Sequence, residues 1–261
     1  MPQWTLLGLL QGRQTAPWPL AKGTDGQAGF LGMPRYNPNF CNEKCRACAD
    51  ACPTNAITMS SESRLAIDYG RCVVCQLCTE ACPTDAMAPS SDWAFGVRVR
   101  EDLVWKTDAA APLAAKETRG FRRSLHVRHV DAGSCNGCES ELQALNNPFY
   151  NLHRLGIFFT ASPRFADCLL VTGPVTQAML GPLRATYEAV AEPRWVIAVG
   201  TCAVSGGIAE GGYACGHGLE GVLPVDVYLP GCPPNPAAII EALLMFLDRT
   251  PQRVKGGQIA E

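Results

Sequence analysis

Eight of the fourteen cysteines fall in two short runs that repeat each other thirty residues apart. The first run is Cys41, Cys45, Cys48 and Cys52, followed by Pro53; the second is Cys72, Cys75, Cys78 and Cys82, followed by Pro83. The repeat extends beyond the thiols, since Ala51-Cys52-Pro53-Thr54-Asn55-Ala56-Ile57 is answered by Ala81-Cys82-Pro83-Thr84-Asp85-Ala86-Met87. Spacings of two, two and three residues ending in Cys-Pro hold a pair of [4Fe–4S] clusters, each half lending three ligands to one cluster and one to the other. Cys41, Cys45, Cys48 and Cys82 are therefore expected to bind one cluster, and Cys72, Cys75, Cys78 and Cys52 the second. One irregularity stands out. A thirty-residue shift carries Cys41 onto Arg71, one short of Cys72, so the first run opens Cys-x3-Cys with an extra loop residue. No other cysteine lies upstream, which leaves Cys41 as the fourth ligand.

Zinc is the competing reading of Cys-x2-Cys pairs, but it takes four ligands in two separated pairs. Two runs of four, each closed by Cys-Pro, fit it poorly. A disulfide framework fits less well still, because the chain is too long to need staples and opens with no secretory signal. The cysteine usage thus points to a reducing compartment. At 261 residues the chain has room for about two domains. With 47% apolar and 18% charged residues it reads as an ordinary globular protein, and a formal charge of −2 argues against a nucleic-acid partner. The apolar patch from Leu6 to Leu10 is too short to span a bilayer. The longest apolar stretch, Ala237 to Leu247, is broken by Glu241. Arg122-Arg123 looks like a twin-arginine signal but lies in mid-chain.

Four segments are expected. Residues 1–35, rich in Gly, Pro, Gln and Trp, read as an irregular arm anchored by Trp4, Trp18 and Phe30. Residues 36–92 form the small α+β two-cluster domain. Residues 93–123 form a linker, with a strand at Phe95–Val99, an Ala/Pro-rich stretch from Ala109 to Ala115, and basic residues at Arg119, Arg122 and Arg123. From residue 124 to 261 short apolar runs alternate with helical segments. Strands are expected at Leu125–Val130, Asp167–Val171, Trp195–Val199 and Val225–Leu229. Helices are expected at Ser140–Leu145, Leu180–Val190 and from Pro236 to Leu247, the last with proline at its first turn. Alternation of this kind implies an α/β domain with a mainly parallel sheet.

That reading sorts the other six cysteines. Cys135 and Cys138 follow the first strand, Cys202 follows Trp195–Val199, and Cys232 follows Val225–Leu229. Parallel α/β sheets build their sites outside the carboxyl ends of the strands. Three strand ends thus deliver four thiols to one edge, while Gly137, Gly200 and Gly231 let the backbone approach. Cys135, Cys138, Cys202 and Cys232 are the expected ligands of a third [4Fe–4S] cluster. Cys168, inside a strand, reads as a small core residue. Cys215, in the Gly-rich loop from Gly211 to Gly218, is a weaker ligand candidate behind four better-placed thiols, and His217 beside it reads as a surface histidine. Glu139 follows Cys138 and is the candidate tuning residue. Its readings are a proton or electrostatic role and a carboxylate resting on a helix N-terminus.

Together these residues carry a resemblance. Val130-Asp131-Ala132-Gly133-Ser134-Cys135-Asn136-Gly137-Cys138-Glu139, Leu169-Leu170-Val171-Thr172-Gly173-Pro174-Val175, Ser205-Gly206-Gly207 and Pro224-Val225-Asp226-Val227-Tyr228-Leu229-Pro230-Gly231-Cys232-Pro233-Pro234 resemble the small subunit of membrane-bound, energy-converting [NiFe] hydrogenases. The formate hydrogenlyase and CO-induced branches are the nearest, and the group is similar to the cluster-N2 subunit of respiratory complex I. The resemblance covers about residues 124–249. It implies a flavodoxin-like domain whose cluster lies beside a [NiFe]-hydrogenase-like large subunit. Residues 36–92 resemble the separate two-cluster ferredoxin subunit of the same complexes, here fused into one chain. Phe165 departs from the pattern, standing where these families often have His.

The function implied is that of an electron-transfer subunit with three [4Fe–4S] clusters and no catalytic centre of its own. Its implied partners are an electron-donor module or ferredoxin, the large subunit, and membrane subunits of a complex-I-like assembly. Those partners would hold a cytoplasmic protein on the inner face of the cell membrane. The alternative is the equivalent subunit of a complex-I-like or nickel-free oxidoreductase. Complex I relatives typically use two adjacent cysteines where this chain separates Cys135 and Cys138 by Asn-Gly, which is the hydrogenase arrangement.

Overall fold

The computed structural model describes residues 3–12, 15–42, 45–59, 65–106 and 124–259. The arm is less irregular than its composition suggests. Gln3–Gln11 form helix α1, built from leucine and glutamine, both good helix formers. Its apolar residues sit all round instead of on one stripe, so no amphipathic period announces it. Leu6, Leu7, Leu9 and Leu10 are exposed. Beyond α1 the arm straps the rest of the chain. Ala16 N–H donates to Phe149 O (2.9 Å), and the Arg154 guanidinium reaches the carbonyls of Ala16 and Trp18. Gly32 N–H then donates to Ser90 O (2.7 Å) and Met33 N–H to Asp92 O (2.9 Å). Trp18 packs edge-on against Trp93 at 6.1 Å, as an anchor should. The side chain of Trp4 lies outside the described residues.

The cysteine repeat folds as two matching halves. Strand β1 (Arg35–Tyr36) precedes a four-residue helix α2 (Ala47–Asp50), then strands β2 (Ile57–Met59) and β3 (Leu65–Asp68). Helix α3 (Leu77–Glu80) repeats α2 at the thirty-residue shift, and β4 (Met87–Ala88) closes antiparallel on β1. Asn55 and Asp85, equivalent in the repeat, both take left-handed backbone (φ 51° and 54°). Short Asn and Asp side chains tolerate that conformation best after glycine.

The stretch read as linker needs correction. Residues 93–106 are built into the core, with Phe95, Val97, Leu103 and Trp105 buried. Strand β5 (Val104–Lys106) extends the sheet to β2-β3-β5, pairing Trp105 with Ile67. No strand forms at Phe95–Val99; Val97 alone exchanges hydrogen bonds, with Tyr228 (2.9 and 2.8 Å), because the backbone turns away after one residue. Ala109–Ala115, Arg119, Arg122 and Arg123 lie outside the described residues.

The remaining chain alternates as expected. It runs through β6 (Leu125–Asp131), α4 (Gly137–Ala144), β7 (Ile157–Phe159), β8 (Cys168–Thr172) and α5 (Gln177–Ala189). It continues through β9 (Trp195–Val199), α6 (Thr201–Ser205), β10 (Val227–Leu229) and α7 (Pro236–Phe246). The five strands are all parallel, in the order β10-β9-β8-β6-β7. Counted along the chain this is order 2-1-3-4-5, the flavodoxin-like arrangement. Helix α7 is buried almost all round, and its Asn235 cap accepts Ala238 N–H (2.7 Å) ahead of Pro236. A hairpin of β11 (Val254–Lys255) and β12 (Gln258–Ile259) returns the chain to the first unit, where Gly257 N–H donates to Asp102 O (2.7 Å).

Period-two alternation divides β8 between two cores. Cys168 and Leu170 face α4 and α7, whereas Leu169 and Val171 face α5 in a core that continues into the cysteine-rich unit through Ile67, Leu103 and Trp105. Leu170 is fully buried. Leu170→Ala is expected to cost about 2–5 kcal/mol in anaerobic chemical denaturation. Phe165→Ala, at a side chain 76% exposed, is expected to stay within about 0.5 kcal/mol of the parent.

Candidate metal centres

All fourteen cysteines are free thiols. In the N-terminal unit α2 carries Cys48 and α3 carries Cys78, both buried. Burial, then the thiols of Cys41, Cys82 and Cys45, pushes the Cys48 thiol up to about 11 against a lowering backbone hydrogen bond from Ala49. Cys72 is pushed up to about 12 by burial, then by Cys78, Cys52 and Cys75, against a lowering hydrogen bond from Val74 N–H (3.4 Å). Cys78 also rises to about 12, through burial and then Cys52, Cys75 and Cys48. Cys82 thus lies among the neighbours of Cys48, and Cys52 among those of Cys72 and Cys78. Cys48 and Cys78 lie where the two groups meet. Part of the Cys41–Cys45 loop lies outside the described residues, so the extra residue there has no structural account.

Backbone donors already point at several sulfurs. Ala56 N–H approaches Cys52 Sγ (3.3 Å), and Met87 N–H, one residue further along its half, approaches Cys82 Sγ (3.4 Å). At Cys82 burial raises the thiol, but N–H groups of Met87, Thr84 and Ala86 outweigh it and the net shift is downward. Hydrogen bonds of this kind stabilise thiolate and tune a cluster bound to it.

The remaining quartet sits on the carboxyl edge of the parallel sheet. Cys135 and Cys138 come from the turn after β6 and the start of α4, Cys202 from α6 directly after β9, and Cys232 from the turn after β10. Burial raises Cys138, followed by its neighbours Glu139, Cys202, Cys232 and Cys135. Cys202 is pushed up to about 11 by burial, then by Cys232, Cys135 and Cys215. Burial also raises Cys232, followed by Cys135 and, from the other unit, Cys75. Cys75 of the N-terminal unit is thus a neighbour of Cys232. Cys168 keeps apart, fully buried inside β8 as core. Cys215 lies near Cys202 on a loop tied to Thr176 by a backbone bridge.

The glycines fit a cradle around sulfur. A Cβ on Gly200 (φ +90°) would stand 2.6 Å from Cys138 Sγ, and one on Gly207 (φ +58°) would stand 3.0 Å from Cys202 Sγ. Either side chain would crowd a thiol in a backbone conformation that L-residues rarely adopt. Among the described residues no three His, Cys, Asp or Glu side chains gather closely enough to hold a single metal ion. A polynuclear cluster spreads its four thiolates wider than one ion does, and soft thiolate donors suit iron–sulfur chemistry.

Glu139 is more than a helix-end carboxylate. It lies in the first turn of α4, only 13% exposed, and both its oxygens are taken: Ser134 Oγ donates to Oε2 (2.6 Å) and Thr172 Oγ1 donates to Oε1. Thr172 has then spent its one proton, so His129 Nε2, at 3.0 Å, must donate to it. His129 is lowered by burial, opposed by Glu139. This network borders an open cavity of about 410 Å³ lined by Arg128, His129, Glu139, Gln143, Phe159 and Thr160. Ser134 and Thr172 carry no signal of this role in the sequence, since isolated hydroxyl residues are common at strand ends. Phe165 lies at the opposite, amino end of β8 and takes no part.

Gly200→Ala is expected to crowd Cys138 out of place. Purified anaerobically, that variant should hold about four fewer iron atoms than the parent, with iron read by elemental assay.

Comparison with known proteins finds two families on this chain. That described as 4Fe-4S dicluster domain matches residues 40–86, and that described as NADH ubiquinone oxidoreductase, 20 Kd subunit, matches residues 135–246. An uncharacterized protein of Methanocaldococcus jannaschii is 49% identical over 123 residues, covering 47% of this chain and 82% of that protein. A probable membrane-bound hydrogenase subunit of Pyrococcus furiosus is 42% identical over 134 residues, covering 51% and 80%. Formate hydrogenlyase subunit 7 of Escherichia coli is 40% identical over 147 residues, covering 56% and 58%.

Proposed function

Because the chain belongs to the family of the NADH ubiquinone oxidoreductase 20 kDa subunit, with a 4Fe-4S dicluster domain ahead of it, we propose that it is the electron-transfer subunit of a membrane-bound hydrogenase complex. A [4Fe–4S] cluster, when bound, supplies one-electron transfer. The residues proposed to hold three of them are Cys41, Cys45, Cys48 and Cys82; Cys72, Cys75, Cys78 and Cys52; and Cys135, Cys138, Cys202 and Cys232. The observation that carries the proposal is the succession of these groups. Cys48 and Cys78 are neighbours in the N-terminal unit, and the Cys72 loop is hydrogen-bonded to the parallel-sheet edge through Thr201, beside Cys202 (2.8 Å).

The proposed division of labour follows the chain. The unit of residues 36–92 takes electrons from a donor module or a ferredoxin. The unit of residues 124–261 faces a [NiFe]-hydrogenase-like large subunit with its sheet edge, where Cys135 and Cys232 are exposed. Within this chain the side chains ligate, bury and hydrogen-bond sulfur; acid–base chemistry on substrate belongs to the partner. Among the described residues no helix is long and apolar enough to cross a membrane. Membrane subunits of a complex-I-like assembly are accordingly proposed to hold the protein on the inner face of the cell membrane. Relatives named as membrane-bound hydrogenase and formate hydrogenlyase subunits support this reading. The Asn-Gly between Cys135 and Cys138 favours hydrogenase over a nickel-free, complex-I-like oxidoreductase.

The parent should carry about twelve iron atoms per chain. Cys202→Ser should lose one electron paramagnetic resonance signal and keep the other two. About eight iron atoms in the parent, with no signal lost in Cys202→Ser, would sink the third site. Nickel in the purified complex and hydrogen evolution abolished by Cys135→Ser are the expected hydrogenase outcome. A nickel-free complex would select the second reading.

A further inference from the structure

Thr201 belongs to none of the three thiol groups yet touches loops from two of them. It is 1% exposed and stands between Gly200 and Cys202 at the start of α6. Its hydroxyl donates to the carbonyl of Cys72, 129 residues away in the other unit (2.8 Å). The same oxygen accepts Gly231 N–H (3.1 Å), beside Cys232, while Thr201 N–H donates to Gly231 O (2.9 Å). One side chain thus joins the Cys72, Cys202 and Cys232 loops. A second clasp lies beside it. Arg71, next to Cys72, pairs with Glu210 of the loop after α6 and donates through Nε to Thr54 O (3.3 Å). The turn Tyr69–Arg71, which carries Arg71, packs directly on α6.

Resting on the proposed electron-transfer function, we infer that Thr201 is a positioning residue whose hydroxyl holds the Cys72 loop of the N-terminal unit at a fixed place against the Cys202 and Cys232 loops of the sheet edge, with Arg71–Glu210 as the second clasp. Electron transfer between centres falls steeply with distance. The apolar core that the two units share holds them together as one body, but at the thiol loops themselves the seam is local and polar. A hydroxyl that donates to one loop and accepts from another fixes both separation and orientation, which apolar contact alone does not. Serine retains the donor and the acceptor; valine keeps the shape and removes both.

The test compares Thr201→Val, Thr201→Ser and the parent as purified full chains, for iron content, amide hydrogen exchange, and magnetic interaction between the reduced centres at the second and third groups. In Thr201→Val, with about twelve iron atoms retained, exchange in residues 69–76 and at Gly231 should accelerate roughly five- to tenfold, the weight of one net hydrogen bond. The magnetic interaction should weaken, and Thr201→Ser should restore both. Parent-like exchange and interaction in Thr201→Val overturn the inference, as does their loss in Thr201→Ser. Should Thr201→Val fail to accumulate, Glu210→Gln opens the other clasp without touching a thiol loop, and exchange unchanged by it at low or high salt overturns the inference. A parent with only about eight iron atoms overturns the three-cluster reading instead. Exchange in the Cys72 and Gly231 segments then judges the clasp by itself.

Discussion

Cys135, Cys138, Cys202 and Cys232 lie on three separated loops that share one edge only because the strands feeding those loops run parallel and end together. β6, β9 and β10 all deliver their carboxyl ends to the same edge of the sheet, and β8 between β6 and β9 holds them in register. Every residue of β8 is buried, and α7, which covers one face, is buried nearly all round. The edge is therefore a rigid rim on which loops can be placed with little freedom. Had any of these strands run antiparallel, its following loop would emerge at the opposite edge and the quartet would be incomplete. The runs from Cys41 to Cys52 and from Cys72 to Cys82 need no such frame, because their short spacings keep the thiols of each run close along the chain.

The surroundings of the sulfurs bear on what ligation costs. Burial raises Cys48, Cys72, Cys78, Cys138 and Cys202. A ligating thiol must give up its proton, so metal binding is linked to pH. Neighbouring N–H groups oppose burial, and at Cys82 they prevail. The glycine positions belong to the same economy of space. At Gly200 and Gly207 even one methyl group would compete with sulfur.

What could be read in the residues follows the range of the interactions. Trp195–Val199 and Cys168–Thr172 are continuous apolar runs that bury both faces, and their strand character is plain without any neighbour. The cysteine runs and the strand-end places of Cys135, Cys138, Cys202 and Cys232 stood out because spacing and strand ends are local facts. Ile157–Phe159 escaped because three residues give no pattern to distinguish an edge strand from a loop. Trp105 and its strand looked like linker because their partner, Ile67, lies in the first unit and nothing adjacent marks the pairing. α4 begins three residues before the expected Ser140, since Gly137 and Cys138 have poor helix propensity and are carried into the helix by the site. Thr201 and Thr172 act through hydrogen bonds to residues far away in the chain, a role that no local pattern encodes.

The two units share more than a covalent joint. The arm bonds to Phe149 in one and to Ser90 and Asp92 near the other, Val97 pairs with Tyr228, and the C-terminal hairpin returns to Asp102. A single apolar core runs from Ile67 and Trp105 of the first sheet to Leu169 and Val171 of the second. Chain passing back and forth in this way converts a two-domain arrangement into one body, because separating the units would expose core as well as break polar bonds. Fusion of two electron-carrying units in one chain would by itself only raise their local concentration. The shared core and the polar seam at Cys72 do something further: they place the thiols of one unit against those of the next without waiting for an encounter.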